Sequence, residues 1–253
     1  MNVPEFLSLP ARSSKPRGAG FTHVLDKSTH LDDLVGFIDS AGPFIDFWKF
    51  GWGTGYIDPL IRKKAEALSG HGIRACLGGT LLEVAWSQGK EDEYLAWASD
   101  IGMPCVEVSN GALDIPVPEK RRLISKAAEN FLVLAEVGSK NPSVAVSPSA
   151  WAEQAAGDIA AGASWVLGEG RESGSVGLYT PEGGVREDVV EAMVSAVGVQ
   201  AVIFEAPRRS QQAWFVRRFG PDVNLGNVIP AEVLGLETLR LGLRADTIGC
   251  FGK

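Results

Sequence analysis

Cysteine and histidine are both scarce, three of each in 253 residues. Cys76, Cys105 and Cys250 form no CxxC pair and have no histidine neighbour at metal-ligand spacing. That argues against a disulfide scaffold or a zinc site and fits a reduced, cytoplasmic protein. Cys76 and Cys105 lie in apolar runs and read as small buried hydrophobes. Long apolar runs are missing too. Nothing approaches the ~18 continuous apolar residues of a membrane helix, and the N-terminus lacks an apolar signal core. Positive charge is in deficit, with 24 Lys and Arg against 31 Asp and Glu and a net charge of −7. An acidic chain is a poor match for nucleic acid or an anionic membrane, although a local cluster of cations inside a cleft can still hold a small anion. His30 and His71 flank helix-like stretches and His23 opens an apolar run, so a Ser/His/Asp hydrolase finds no support.

What the chain does have is repetition. Eight short apolar runs ending in polar residues occupy 23–28, 45–51, 73–80, 105–111, 131–140, 164–173, 201–207 and 223–228. Amphipathic, helix-like stretches follow them at 31–41, 57–69, 91–100, 119–130, 150–161, 186–196, 210–219 and 231–241. Apolar runs alternating with amphipathic helices signal βαβ units and a parallel sheet. Glycines just past several helices (Gly102, Gly162, Gly220) suit helix C-termini. Eight units in 253 residues predict an α/β fold of one domain, a single (β/α)8 TIM barrel. An open doubly wound sheet is the rival, but it would usually carry a GxGxxG turn after the first strand, and none is present. Residues 1–20 read as a short, partly basic N-terminal arm.

In such barrels the working groups sit at the C-terminal ends of the strands. Lys27, Lys49, Gly79, Thr80, Glu107, Ser109, Asn110, Glu136, Lys140, Glu169, Arg171, Glu205, Asn224 and Asn227 fall there. Lys49 stands out between Trp48 and Phe50, because a charge in apolar company is costly unless it is paired or solvated in a cleft. Glu136 and Glu205 close the apolar runs LVLAE and VIFE, and the bland alternative is that they simply pair with Lys49 or Arg171. Converging carboxylates suit Mg²⁺, a hard cation that takes oxygen ligands. Lys and Arg suit an anionic substrate, Arg as a fork and Lys as a point charge. Seven tryptophans read mainly as packing; Trp52, inside the glycine-rich FGWGTG turn, is the one expected near the site.

From about residue 9 to 247 the chain resembles the phosphosulfolactate synthase family of coenzyme M biosynthesis, with the appearance of its bacterial branch. The resemblance rests on IDFWKFGWGT, GGTLLE, VEVSNG, LAEVGSK, EGRESG, VIFEAP, SQQ, VNLGN and LETLRLGLRADT, in the family's order and spacing. Asn110 and Ser139 stand where the archaeal pattern often has aspartate and a second lysine.

The resemblance implies a (β/α)8 barrel and Mg²⁺-dependent addition of sulfite to phosphoenolpyruvate, giving (R)-2-phospho-3-sulfolactate. It makes Lys140, in the EVGxK position, the candidate acid, with Lys49 and Glu136 beside it in catalysis. Lys27, Gly79, Thr80, Ser109, Asn110, Arg171, Gln212 and Asn224 become candidate substrate contacts. Glu136, Glu169 and Glu205 become candidates for the metal. It also implies a homo-oligomer such as a trimer. The competing expectations are another Mg²⁺-dependent carbon–heteroatom lyase acting on a phosphorylated acid, and a non-catalytic stress-associated barrel.

Overall fold

The computed structural model describes residues 6–138 and 147–251. Eight parallel strands close into a barrel in chain order: β1 (Thr22–Asp26), β2 (Phe47–Phe50), β3 (Arg74–Leu77), β4 (Cys105–Val108), β5 (Leu132–Val137), β6 (Trp165–Gly168), β7 (Val202–Glu205) and β8 (Leu225–Val228). The described helices are α1 (Leu31–Ala41), α2 (Thr54–Ile57), α3 (Ile61–Gly70), α4 (Gly79–Ser87), α5 (Glu91–Asp100), α6 (Val117–Ala128), α7 (Pro148–Ala160), α8 (Glu187–Val197), α9 (Arg209–Phe219) and α10 (Val233–Arg240). The expected (β/α)8 barrel is therefore present.

Two elements differ from the sequence expectation. The stretch at 57–69 divides into α2 and α3, because Pro59 disfavours helix at the residue before it and Asp58 is extended. GGTLLEVAWS forms α4, where the sequence suggested only a strand end and a loop. Its paired glycines hide a helix start that has no side-chain cap.

Side chains on a strand alternate between faces. Val24, Trp48, Ala75, Val106, Val133, Val166 and Phe204 point outward into the layer between sheet and helices, the larger of two cores. The inward positions form a separate core of Phe21, Phe47, Cys76, Cys105, Leu134, Leu167 and Ile203. The ring centroids of Phe21, Phe47 and Trp165 lie 5.1–5.7 Å apart in edge-on contacts, plugging the N-terminal end. Phe21 and Phe47 are fully buried, and each contributes roughly 1.5–3 kcal/mol.

Below the plug the N-terminal arm is tied down. Buried Arg17 donates from Nη1 to both oxygens of Asp46 (3.0 and 3.1 Å), while Arg12 reaches Asp222 (2.5 Å) and Glu237 (3.0 Å). The arm is thus a strap across the strand starts.

Candidate active site

Two residues further along the same strands, the inward face changes character. Phe47 gives way to Lys49, Cys105 to Glu107, Leu134 to Glu136, Leu167 to Glu169 and Ile203 to Glu205. These five line a cavity of about 400 Å³ at the C-terminal mouth, together with Trp52, Gly78, Gly79, Thr80, Arg171, Glu172 and Asn227.

Lys49 is its centre. The ammonium lies 3.1 Å from Glu107 Oε2 and 3.2 Å from Glu205 Oε1. Burial alone would push it toward the neutral amine. Glu107, Glu205 and Glu136 outweigh that, and hold Lys49 above the ordinary lysine range. It therefore stays charged and serves as a fixed positive point.

Backbone groups fix the carboxylates. Gly170 N–H donates to Glu205 Oε2 at 2.9 Å, Arg171 N–H to Glu169 Oε1 at 2.6 Å, and Gly79 N–H to Glu107 Oε1 at 3.3 Å. Tyr179 Oη donates to the Glu205 carbonyl at 2.5 Å. Behind β5, fully buried Lys120 of α6 donates to the Glu136 carbonyl (2.5 Å) and to Asp158 (2.6 Å), which pins the strand end from outside the barrel. A Cβ at Gly79 would lie 2.3 Å from Ser109 Oγ, so only glycine lets α4 start this close to β4.

Lys49, Gly79, Thr80, Glu136, Glu169, Arg171 and Glu205 come together as expected of them, with Trp52 beside them. Lys140 lies outside the described residues. Lys27 sits at the rim, 2.9 Å from Glu172 and 5.9 Å from the Trp52 ring centroid, in an adjoining cleft with Ser28 and Ile229.

Four expected contacts take other places. Ser109 is buried and donates to Glu83, and Asn110 donates to the Ile115 carbonyl at 3.2 Å, so both shape the loop after β4. Gln212 lies on α9, bonded to the Ala206 carbonyl at 3.0 Å. Asn224 precedes β8 at the opposite end of the barrel. It accepts from Phe21 N–H (3.0 Å) and donates to the carbonyls of Gln200 and Val202. The apolar run VNLGNV starts two residues earlier than the strand does, which made Asn224 look like part of the strand end.

Sequence reasoning missed Glu83 and Lys120. Glu83, fully buried on α4, accepts from Ser109 Oγ and from the N–H groups of Ala112 (2.9 Å) and Leu113 (2.5 Å). Charged residues inside amphipathic helices look like solvated faces, and only the unrecognised α4 would have turned Glu83 inward.

Two cations, Lys49 and Arg171, face five carboxylates (Glu107, Glu136, Glu169, Glu172 and Glu205), a formal charge of −3 among the described lining residues. No three of the described acidic, histidine or cysteine side chains are grouped to cage a metal on their own. Mg²⁺ is usually held differently, by one or two carboxylates with water and substrate oxygens, and all-oxygen donors of this kind fit that habit.

Such a charged pocket at the strand ends of a closed barrel defines a (β/α)8-barrel enzyme for small polar substrates. The family model for (2R)-phospho-3-sulfolactate synthase (ComA) matches residues 10–246. The chain is 40% identical to the phosphosulfolactate synthase of Methanothermobacter thermautotrophicus over 255 residues, covering 98% of each protein. It is 39% identical to that of Bacillus subtilis over 244 residues, 95% of this chain and 97% of the relative. The chain belongs to the phosphosulfolactate synthase family. Among solved structures, 3-keto-L-gulonate-6-phosphate decarboxylase of Vibrio cholerae superposes with a TM-score of 0.57 at 10% identity, over 92% of this chain and 100% of that one, a likeness of fold alone.

Proposed function

We propose that the cavity adds sulfite to phosphoenolpyruvate, forming (R)-2-phospho-3-sulfolactate. The observation that carries this reading is the reach of the family match, residues 10–246, which takes in every strand end that lines the cavity.

The chemistry suits the geometry. The sulfur lone pair of sulfite attacks C3 of the enol phosphate, and the C2–C3 π electrons move toward C2 and the carboxylate. Negative charge therefore grows on a substrate that is already anionic. A fixed positive group in a water-poor cavity stabilises such a transition state, typically by about 3–4 kcal/mol. Lys49 fills that role, held charged by its carboxylate neighbours. Arg171, exposed at the rim, can grip a phosphate or carboxylate in a fork. C2 must then receive a proton. Lys140 is the proposed donor, since Lys49 holds its own proton too tightly to give it up readily.

Two anions entering a lining whose described side chains sum to a formal charge of −3 need further positive charge, more than the single charge Lys140 would add. That supports Mg²⁺, which Glu136 and Glu169 would hold at the cavity wall and which supplies Lewis-acid stabilisation of the developing charge. A cytoplasmic location is supported by the free state of Cys76, Cys105 and Cys250. Among the described residues no helix is long and apolar enough to cross a membrane. A homo-oligomer such as a trimer is supported by exposed apolar side chains, among them Tyr56 and Ile57 on α2.

The test is to incubate the purified chain with phosphoenolpyruvate, sulfite and Mg²⁺, following loss of enol-phosphate absorbance and product mass. A phosphorylated sulfonate that disappears with EDTA and returns with Mg²⁺ is expected. A folded chain that consumes no phosphoenolpyruvate sinks the reading.

A further inference from the structure

β8 differs from its neighbours at one point. Thr22 of β1 pairs with Leu225 and Val24 with Val228, so β8 spends three residues where β1 spends two. The extra residue breaks the alternation. Leu225 and Val228 belong to the outer core, and a Cβ on Gly226 would face inward against His23 and Ile203. Asn227, which strict alternation would also send outward, lines the cavity instead. A β-bulge re-aims a side chain in this way, and such bulges concentrate beside active sites.

The bulge places Asn227 in a costly state. Its φ is +54°, in the left-handed region that non-glycine residues seldom adopt. The side chain is 3% exposed although it lines the cavity. A left-handed backbone on a non-glycine residue costs stability, and such strain clusters at ligand-binding positions. Trp52 (φ +53°) and Arg171 (φ +51°), which line the same cavity, share that positive φ.

We infer that Asn227 is a substrate-orienting residue, its side-chain NH₂ donating a hydrogen bond to an anionic oxygen of phosphoenolpyruvate. The assignment rests on the proposed reaction. A neutral amide suits this place because it supplies a donor without adding charge beside Glu205. It is also held rigidly, by the bulge rather than by a flexible stem, so it fixes the orientation of the enol phosphate while sulfite approaches.

Two variants test it. Asn227→Gly removes the amide and relieves the left-handed backbone. Asn227→Asp keeps the shape but exchanges the donor for a negative charge. Asn227→Gly should keep the wild-type Tm or exceed it, while kcat/KM for phosphoenolpyruvate drops at least tenfold and the KM for sulfite stays within twofold. Asn227→Asp should lose more than Asn227→Gly. A kcat/KM within twofold of wild type in Asn227→Gly overturns the assignment. So does a loss confined to the sulfite KM, and so does a loss that tracks a falling Tm in both variants. Calorimetric titration of phosphoenolpyruvate into the wild-type chain separates the two levels. A wild type that neither binds nor converts it defeats the proposed reaction, whereas a competent wild type with an equally competent variant defeats only the role of Asn227.

Discussion

Lys49 of β2 and Glu205 of β7 meet at 3.2 Å inside the barrel, although β1 and β8 separate their strands along the sheet. The contact exists only because the sheet closes, and it makes Lys49 the counter-charge of a ring of glutamates as well as a group facing the cavity.

Lys49→Met should therefore damage both fold and function. Removing one partner of a buried ion pair typically costs about 3–5 kcal/mol, because the remaining charge is stranded. Here Glu107 and Glu205 would both be left facing each other's field. Urea denaturation at neutral pH should show that loss, and sulfite addition should fall by at least about a hundredfold. A stable, active Lys49→Met chain would remove Lys49 from the centre of the site.

Lys140→Met addresses the proton. If Lys140 delivers it to C2, turnover should collapse while phosphoenolpyruvate still binds, since a step after binding has been lost. Single-turnover kinetics with equilibrium binding on the same preparation separates the two effects. Unchanged turnover takes Lys140 out of the mechanism.

Glu83 is a positioning residue whose effect should appear in KM more than in stability alone. Three donors from residues 109–113 converge on its carboxylate, and Ala112 lines the cavity. Hydrogen bonds to charged groups contribute about 1.5–3 kcal/mol each. Glu83→Ala should loosen the loop and raise the phosphoenolpyruvate KM several-fold, and Glu83→Gln, which keeps one acceptor oxygen, should restore part of the difference. Equal kinetics in both variants and wild type would show the loop to be held by other contacts.

The barrel was legible in the sequence because every βα unit announces itself locally, with a short apolar run, a polar end and an amphipathic stretch. The inward charges were legible for a related reason. Lys49, Glu136 and Glu205 each interrupt an apolar run, and water or a partner must compensate them. What escaped was whatever depends on register or on a second layer. Asn224 and Asn227 are three residues apart in one short run, yet lie at opposite ends of the strand. Nothing in VNLGNV shows where pairing begins or that β8 bulges. Lys120 and Asp158 are fully buried against each other across α6 and α7, a pairing that no local pattern encodes.

His23 supplies a prediction in pH. Its ring is fully buried near the barrel bottom; burial, with Lys49 adding to it, drives the pKa well below the ordinary imidazole value. The folded chain keeps the ring neutral, whereas the unfolded chain protonates it near pH 6.5. The unfolded state then binds more protons, so stability is fully present above about pH 6.5 and declines as pH falls below it, by up to ~1.4 kcal/mol per pH unit from this group. Denaturation between pH 7.5 and 5 should show that slope, and His23→Gln should flatten it. An identical slope in the variant assigns the acid sensitivity to carboxylates instead.

The plug of Phe21, Phe47 and Trp165 bears on traffic as well as packing. A barrel stopped at one end has a single doorway, so both reactants enter and the product leaves past Trp52 and Arg171. The packing of three rings at the far end thus confines the traffic of the reaction to the near one.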